Sequence, residues 1–323
     1  MLRRCVSIAA RGISAGRDVA AAGRLRDEGK IEFLNGKPEL IRLGEFDDVD
    51  MAMMTHTPAW ARPELASDGD SHNGSIIKYA RFFGKAAHAA GAPWQGINAL
   101  KAAMLASSAI DAQRDTFRDE DYVRVHLIMP NSGGPATAVP IGAELEGKVR
   151  GKTPEAIADA NAKTDRSLRA GALAVGAKVE ITTIAGCLPN RQDPNLVRLC
   201  YDNCVAVVGR ENMGTASHRA GSADLSYVMP VLHPHSGGVT FGSTHSTGYH
   251  VADHRIAAVN PAKWMAMTVV DLLWDGAHEA RKTIDEAGPY PSRDAYMEER
   301  RKYTYQIVYD GLTETSSDTR ADD

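Results

Sequence analysis

Cysteine is scarce in this sequence, and that scarcity excludes a fold built on disulfides. The 323 residues include four cysteines, too few to replace a hydrophobic core by cross-links. Cys200 and Cys204 stand four residues apart in a segment whose apolar residues have helical spacing. We therefore interpret both thiols as facing a core rather than binding a metal. Reduced cysteines indicate a reducing compartment, and we expect the protein to be cytoplasmic.

Long apolar runs and an excess of basic residues are also absent. No stretch approaches the about 20 apolar residues that a helix needs to cross a bilayer, and the net charge is −4. A membrane protein and a nucleic-acid-binding protein are therefore not indicated. With 43% apolar and 24% charged residues, the composition is typical of a globular protein, and the length allows two domains.

Acidic residues are rare at the start of the chain. Residues 1–26 contain six arginines and a single acidic residue, Asp18. This composition is typical of an organelle transit peptide. It equally suits a segment that replaces the N-terminal part of a longer protein, and we favour this second explanation.

The middle of the chain predicts an inserted domain. Residues 74–187 give the order β-α-β-β-α-β, which is the ferredoxin-like split unit. Residues 1–73 and 188–323 flank it, so we predict that together they form the other domain of an α/β protein. We expect residues 314–323 to form a disordered polar tail. The predicted elements are Ile76–Phe83, Asn98–Asp115, Tyr122–Met129, Ala143–Gly151, Glu155–Val175 and Lys178–Ile184.

His56 follows a short apolar run, residues 51–54. A run of this length, bounded by turn residues, is typical of a strand buried on both faces of a parallel sheet. Ligands bind at the carboxyl ends of such strands. The position of His56 suits a functional residue and a loop-capping residue equally well.

Six of the eleven histidines lie between positions 218 and 254. Their irregular spacing, with no i, i+4 pair on a convincing helix, argues against a metal-binding tract. His245 is distinctive, because glycine and hydroxyl residues surround it and their backbone N–H groups could meet an anion. The others are His218, His233, His235, His250 and His254.

His88 lies between a predicted strand and a helix that begins near Ile97 or Asn98. Alanine and glycine residues surround it, so a ligand or a second chain could approach the imidazole closely. An exposed loop histidine without a function is the alternative explanation.

Four segments resemble the zinc aminoacylase and carboxypeptidase family, in the branch that includes p-aminobenzoyl-glutamate hydrolase. They are GKAAHAAGAPWQGINAL, LNGKPELIRLGEFDDVDMAMMTH, GSADLSYVMPVLHPHSGG and GSTHSTGYHVADH. The resemblance implies a truncated zinc-peptidase-like catalytic domain with an inserted lid domain that forms a homodimer. It implies hydrolysis of the amide bond of N-acyl or p-aminobenzoyl amino acids by bound divalent metal, zinc or manganese.

The resemblance also assigns roles to residues. It makes His56 and His245 metal ligands and makes His88 the group that hydrogen-bonds the oxyanion in a partner's active site. It assigns Arg150 to the substrate carboxylate and Asn98 to substrate binding. Thr137 stands where relatives often carry an asparagine that holds the substrate.

The family's first metal histidine, bridging aspartate and Glu-Glu pair are not found where the resemblance places them, in residues 12–23. We therefore expect the N-terminal part to be missing and the metal to bind weakly. Two hypotheses follow: an amidohydrolase with low activity, or a catalytically impaired remnant that retains dimerisation and ligand binding.

Overall fold

The computed structural model describes residues 23–26, 28–57, 72–214, 224–240 and 246–320. The chain forms two compact units. The first unit contains Gly36–His72 and Asn190–Tyr296, and the second contains Ser14–Asn35, Asn73–Pro189 and Met297–Asp323.

The second unit contains the predicted β-α-β-β-α-β order, which the structure confirms. Its strands and helices are β2 (Gly74–Phe83), α2 (Ala99–Ala112), β3 (Arg124–Asn131), β4 (Gly142–Gly151), α3 (Pro154–Val175) and β5 (Lys178–Ala185). All neighbouring strands are antiparallel, in the order β3-β4-β2-β5.

Local sequence explains where the two helices of this unit begin and end. The side chain of Thr153 accepts a hydrogen bond from the N–H of Ala156, Pro154 occupies the first turn, and Gly176 ends α3 with a φ of +70°. These are the preferred N-cap, N1 and C-cap residues. Asn98 caps α2 in the same way, by accepting from the N–H of Lys101.

The core of the second unit lies between one face of the sheet and the two helices. Alternate strand residues such as Phe82, Leu145 and Ile181 contribute to it. The buried side of α2 consists of four alanines and Ile110, and these small alanine side chains allow α3 to approach closely. Ile307 and Tyr309, from the end of the chain, pack against the same core.

The end of the chain corrects two predictions. Two further strands, β7 (Tyr305–Asp310) and β8 (Thr315–Arg320), extend the sheet beyond β5, so it has six strands rather than four. Residues 297–323 therefore belong to the second unit, not to the domain assigned from the sequence. The prediction of a disordered tail from residue 314 is wrong as far as Arg320, because β7 pairs with the open edge of β5 and β8 pairs with β7.

The first unit contains a short parallel sheet and flanking helices. Its described elements are α1 (Gly36–Arg42), β1 (Ala52–Met53), α4 (Pro194–Val208), β6 (Val231–Leu232) and α5 (Asn260–Ala287). The chain passes from the first unit to the second between Tyr296 and Met297, within a last helix, α6 (Arg293–Arg301). Helices α4 and α5 share a core that includes Cys200, Cys204 and Trp264, which confirms that the two thiols face inward.

Two features of the first unit differ from expectation. Strand β1 lies in a parallel sheet, as predicted, and its partner is β6. It is partly exposed rather than buried on both faces, since β6 is its one neighbour among the described residues.

The helix over Arg255–Ala287 has the length and composition of a membrane span. Its Trp264 and Leu272 are buried in the core shared with α4, and its backbone leaves the helical conformation at residues 274–277.

Candidate metal centre

Parallel pairing of β1 and β6 brings histidines together at the carboxyl ends of both strands. The register pairs Met53 with Leu232, and a further parallel bridge pairs His56 with His235. The N–H of Ser236 donates to the carbonyl oxygen of His56 at 2.9 Å. The two histidines therefore lie side by side at the sheet edge where α/β proteins bind ligands.

Three imidazoles converge at this edge. One ring nitrogen each of His56, His233 and His235 lie within 4.8 Å of one another. His56 Nδ1 is 2.5 Å from His233 Nε2, and the rings of His233 and His235 stack with centroids 5.0 Å apart. We call these three residues the histidine triad.

A fourth histidine supports the triad. The ring of His72 lies edge-on to His233 and to His235, with centroids 4.8 Å apart in both cases. His72, His233 and His235 are each 2% exposed, whereas His56 is exposed. The side chain of Gln192 fixes the strand from its other edge, by accepting a 2.6 Å hydrogen bond from the N–H of His233.

Burial favours the neutral form of His233 and His235. It lowers the pKa of His233 well below the usual value and lowers the pKa of His235 to about 3, and neighbouring histidines add to both effects. The pKa of His56 is lowered by burial first and by Lys37 second. Imidazole binds metal ions when it is neutral, so the site is prepared for a cation at pH 7.

The donor set fits a divalent metal ion. Three histidine nitrogens are a known ligand set of catalytic zinc, which keeps a fourth position for water or substrate. Within the described part of the chain, the triad is the one group of three or more potential ligands that lies this close together, and it contains no carboxylate. An ion bound here would be held by imidazole nitrogens of this chain.

The structure changes which histidines are candidates. His56 lies in the triad, while His245 lies outside the described residues. His233 and His235 were missed, since the histidine-rich region was judged too irregular for a metal site. A short apolar run followed by histidine occurs in both 51–56 and 231–235, and that repeated pattern is the signal that could have identified them.

The remaining predicted residues lie in the second unit. His88 is exposed, and its Nδ1 accepts hydrogen bonds from the N–H groups of Ala90 at 3.2 Å and Gly91 at 3.0 Å. In the neutral ring these contacts place the proton on Nε2, which is then a hydrogen-bond donor. Asn98 uses its side-chain oxygen to cap α2. Arg150, half-buried on β4, lies between Ser75 of β2 and Arg124 of β3.

Comparison with known families gives the second unit an identity. Residues 71–173 match the family model of the peptidase dimerisation domain, M20 type. The chain carries an M20 peptidase dimerisation domain. This match covers β2 to most of α3, so it includes the elements of the ferredoxin-like unit up to that helix and leaves out β5.

The M20 resemblance extends beyond that domain. The chain is 30% identical over 258 residues to the Xaa-Arg dipeptidase of Mus musculus, covering 75% of this chain and 57% of that protein. It is 25% identical over 252 residues to one of the two p-aminobenzoyl-glutamate hydrolase polypeptides of Escherichia coli, again 75% of this chain and 57% of the relative. The chain thus spans a little over half the length of these relatives.

Solved structures share the fold. A dinuclear metal-binding peptidase of the M20 family from Bacillus subtilis superposes with a TM-score of 0.55 at 15% identity, covering 73% of this chain and 61% of that chain. The predicted resemblance to M20 amidohydrolases is confirmed by the match to the dimerisation-domain model, and a p-aminobenzoyl-glutamate hydrolase polypeptide is among the relatives.

Proposed function

We propose that this protein is a metal-dependent amidohydrolase that cleaves the amide bond of N-acyl or p-aminobenzoyl amino acids. The observation that carries the proposal is the triad of neutral histidines at the carboxyl ends of β1 and β6, in a chain with an M20 dimerisation domain. Hydrolysis of small amides by M20-type relatives supports it.

The triad is proposed to hold a divalent ion, zinc or manganese, through His56, His233 and His235. Such an ion, when bound, polarises a carbonyl oxygen and lowers the pKa of water. The parallel strands fix the two ligands His56 and His235 through backbone hydrogen bonds. Burial of His233 and His235 excludes water from the inner side of the site.

His88 is proposed to stabilise the oxyanion that forms at the attacked carbonyl. Its imidazole is held in the Nε2–H form by two backbone donors on Nδ1, so it can donate a hydrogen bond without first being protonated. Arg150 is proposed to receive the substrate carboxylate. The side-chain oxygen of Asn98 already accepts the hydrogen bond that caps the helix. We therefore propose that Asn98 contacts the substrate through its side-chain amide nitrogen.

Dimerisation through the second unit is proposed as the way in which His88 reaches a partner's site. Strand β3 is an outer edge of the sheet and carries the exposed Ile128, and edge strands must be paired, covered or charged. We further propose a cytoplasmic homodimer. Since the triad itself contains no carboxylate that could act as a general base, we expect weak hydrolysis by this chain alone.

Elemental analysis of the purified protein, followed by turnover of p-aminobenzoyl-glutamate and N-acetyl amino acids, tests the proposal. We expect bound zinc or manganese, and hydrolysis that a chelator abolishes. The His233→Ala variant should lose metal and activity together, whereas His278→Ala, an exposed histidine on α5, should keep both. Hydrolysis that persists in metal-free protein contradicts the proposal.

A further inference from the structure

The face of the short parallel sheet that carries the triad also carries Met54. The register of β1 with β6 continues to the bridge between His56 and His235, so Met54 stands opposite His233. The N–H of Met54 donates to the carbonyl oxygen of Leu232 at 3.1 Å, in keeping with this register. Because side chains alternate along a strand, Met54 and His56 extend from the same face. Met54 therefore borders the triad.

Lys37 brings a positive charge to this border. Its side chain reaches from the first turn of α1, and its Nζ lies 3.0 Å from the Sδ of Met54. A thioether is a weak hydrogen-bond acceptor, so this contact fixes the position of the ammonium group without neutralising its charge. Lys37, Met54 and the three triad histidines all belong to the first unit. The ammonium group therefore stands beside the triad within that unit.

The charge of Lys37 acts on two of the triad rings. Burial lowers the pKa of His56 most, and the ammonium of Lys37 lowers it further. Burial and the neighbouring histidines lower the pKa of His233, and Lys37 adds to their effect. Because the interaction between charges weakens with distance and is screened by salt, a cation that acts on both rings lies near both. This agrees with the position that the contact with Met54 gives it.

The acidic residue of α1 serves another cation. Glu39 accepts a hydrogen bond from the Nε of Arg42 at 2.9 Å, and residues two apart on a helix do not face each other, so Glu39 points away from Lys37. The triad itself contains no carboxylate. Imidazole nitrogens next to a permanent cation suit a negatively charged ligand. We call Lys37 and the triad together the anion subsite.

The proposed reaction supplies one ligand of that charge. Water adds to the carbonyl carbon of the amide, the C–N bond breaks, and the nitrogen takes up a proton. The acyl part then leaves as a carboxylate with one negative charge, and the amino acid leaves with a protonated amine. The carboxylate forms at the attacked carbon, which lies at the triad in the proposed reaction. An ammonium group and a carboxylate form charge-assisted hydrogen bonds.

We propose that Lys37 binds the carboxylate of the acyl product, so that the released acid occupies the anion subsite and competes with the substrate. This rests on the proposed function and extends it, because it states which of the two products is held at the triad. The ligand class is a small monocarboxylate such as an acetate or a benzoate. A neutral amide of the same shape lacks the charge that Lys37 recognises.

Direct binding tests the assignment without turnover. Calorimetric titration of the full chain, both metal-free and loaded with zinc, would compare p-aminobenzoate, its neutral amide p-aminobenzamide, and inorganic phosphate. We expect p-aminobenzoate to bind most tightly of the three. Lys37→Met should weaken its binding about 10-fold or more, whereas Lys37→Arg keeps the charge and should keep most of the affinity. The matched control is Lys263→Met, at an exposed lysine on α5, which should bind like the wild type.

Two further measurements separate a loss of charge from a loss of structure. Methionine preserves an apolar stem beside Met54, so the unfolding temperature of metal-free Lys37→Met should match that of the wild type. Zinc should bind Lys37→Met more tightly than the wild type, because the variant removes a like charge near the ion. A misfolded variant would instead lose zinc affinity together with stability.

Several results would overturn the inference. They are unchanged p-aminobenzoate affinity in Lys37→Met, an equal loss in Lys263→Met, and binding of the amide or of phosphate as tight as that of the acid. Hydrolysis whose inhibition by p-aminobenzoate is the same in Lys37→Met and the wild type would preserve the proposed function and refute the anion subsite. Binding of the acid that depends on Lys37, in a protein that hydrolyses no amide, would do the reverse.

Discussion

Lys78 and Asp165 form an ion pair inside the second unit, with Lys78 Nζ 2.5 Å from Asp165 Oδ1 and both side chains almost completely buried. Thr183 accepts a second hydrogen bond from the ammonium, and the Tyr305 hydroxyl donates to the other carboxylate oxygen at 2.7 Å. The pair therefore connects β2, α3, β5 and β7 through polar contacts within one core.

Removing one partner of this pair should be costly. We expect Lys78→Met to lower the free energy of unfolding by about 3–5 kcal/mol, because it leaves the Asp165 carboxylate buried without its cation. The double variant Lys78→Met/Asp165→Leu should recover much of that loss. Lys302→Met breaks an exposed pair with Glu299 and should change the stability by less than about 1 kcal/mol. Urea unfolding followed by circular dichroism measures all three, and equal losses for the two Lys78 variants would contradict the expectation.

The contact between α2 and α3 depends on the absence of a side chain at Gly171. A Cβ atom there would lie 2.7 Å from the Cβ of Ala106 and would also clash with the carbonyl oxygen of Ala102. Gly171→Ala should therefore destabilise the protein by about 1–3 kcal/mol, although alanine favours helices. Gly134→Ala is the control, since a Cβ added at Gly134 would have no neighbouring atom within 4 Å. Thermal unfolding of both variants decides the matter, and an unchanged midpoint for Gly171→Ala would show that the helices can separate freely.

Metal should stabilise the folded state through the histidine triad. Added zinc should raise the unfolding temperature of the wild type, because an ion that binds the folded state alone shifts the equilibrium. His235→Ala should remove most of that shift, while His278→Ala should retain it. Differential scanning calorimetry at several zinc concentrations gives the comparison. A full zinc-dependent shift in His235→Ala would mean that the ion binds elsewhere.

The tautomer of His88 can be observed without any substrate. Because Nδ1 accepts from the N–H groups of Ala90 and Gly91, the neutral ring should carry its proton on Nε2. Nitrogen-15 NMR of the imidazole distinguishes the two tautomers. Gly91→Pro removes one of the donors and should increase the population with the proton on Nδ1. Detection of the Nδ1–H form in the wild type would contradict the proposed donor role.

Local patterns predicted the inserted unit well. The alternation in β3 and β4 and the signals Thr153, Pro154 and Gly176 depend on neighbours in sequence, and the structure contains all of them. The end of the chain was predicted poorly, because local sequence assigned it to the flanking domain and, from residue 314, to a disordered tail. Pairing of β7 with the edge of β5 decides the outcome, and that contact spans more than a hundred residues.

The candidate metal centre was predicted only in part, because local patterns identify one of its histidines and long-range pairing brings in the other two. His56 was identified from its position after a short strand, and the strand does lie in a parallel sheet. His233 and His235 lie two positions apart, a spacing that does not place two side chains on the same face of a helix. They become neighbours of His56 only when β6 pairs with β1, which no local pattern specifies.

The parallel pairing of β1 and β6 also sets the order in which the protein can fold. About 180 residues separate His56 from His235, and closing such a loop costs conformational entropy that grows with its length. The second unit shortens this loop, because its folding brings its two ends together. Asn190 N–H donates to the carbonyl oxygen of His72 at 2.9 Å, directly beside the points where the chain enters and leaves the insert. We therefore expect the insert to fold early and the histidines to meet late, so that the appearance of metal affinity during refolding marks the last slow step.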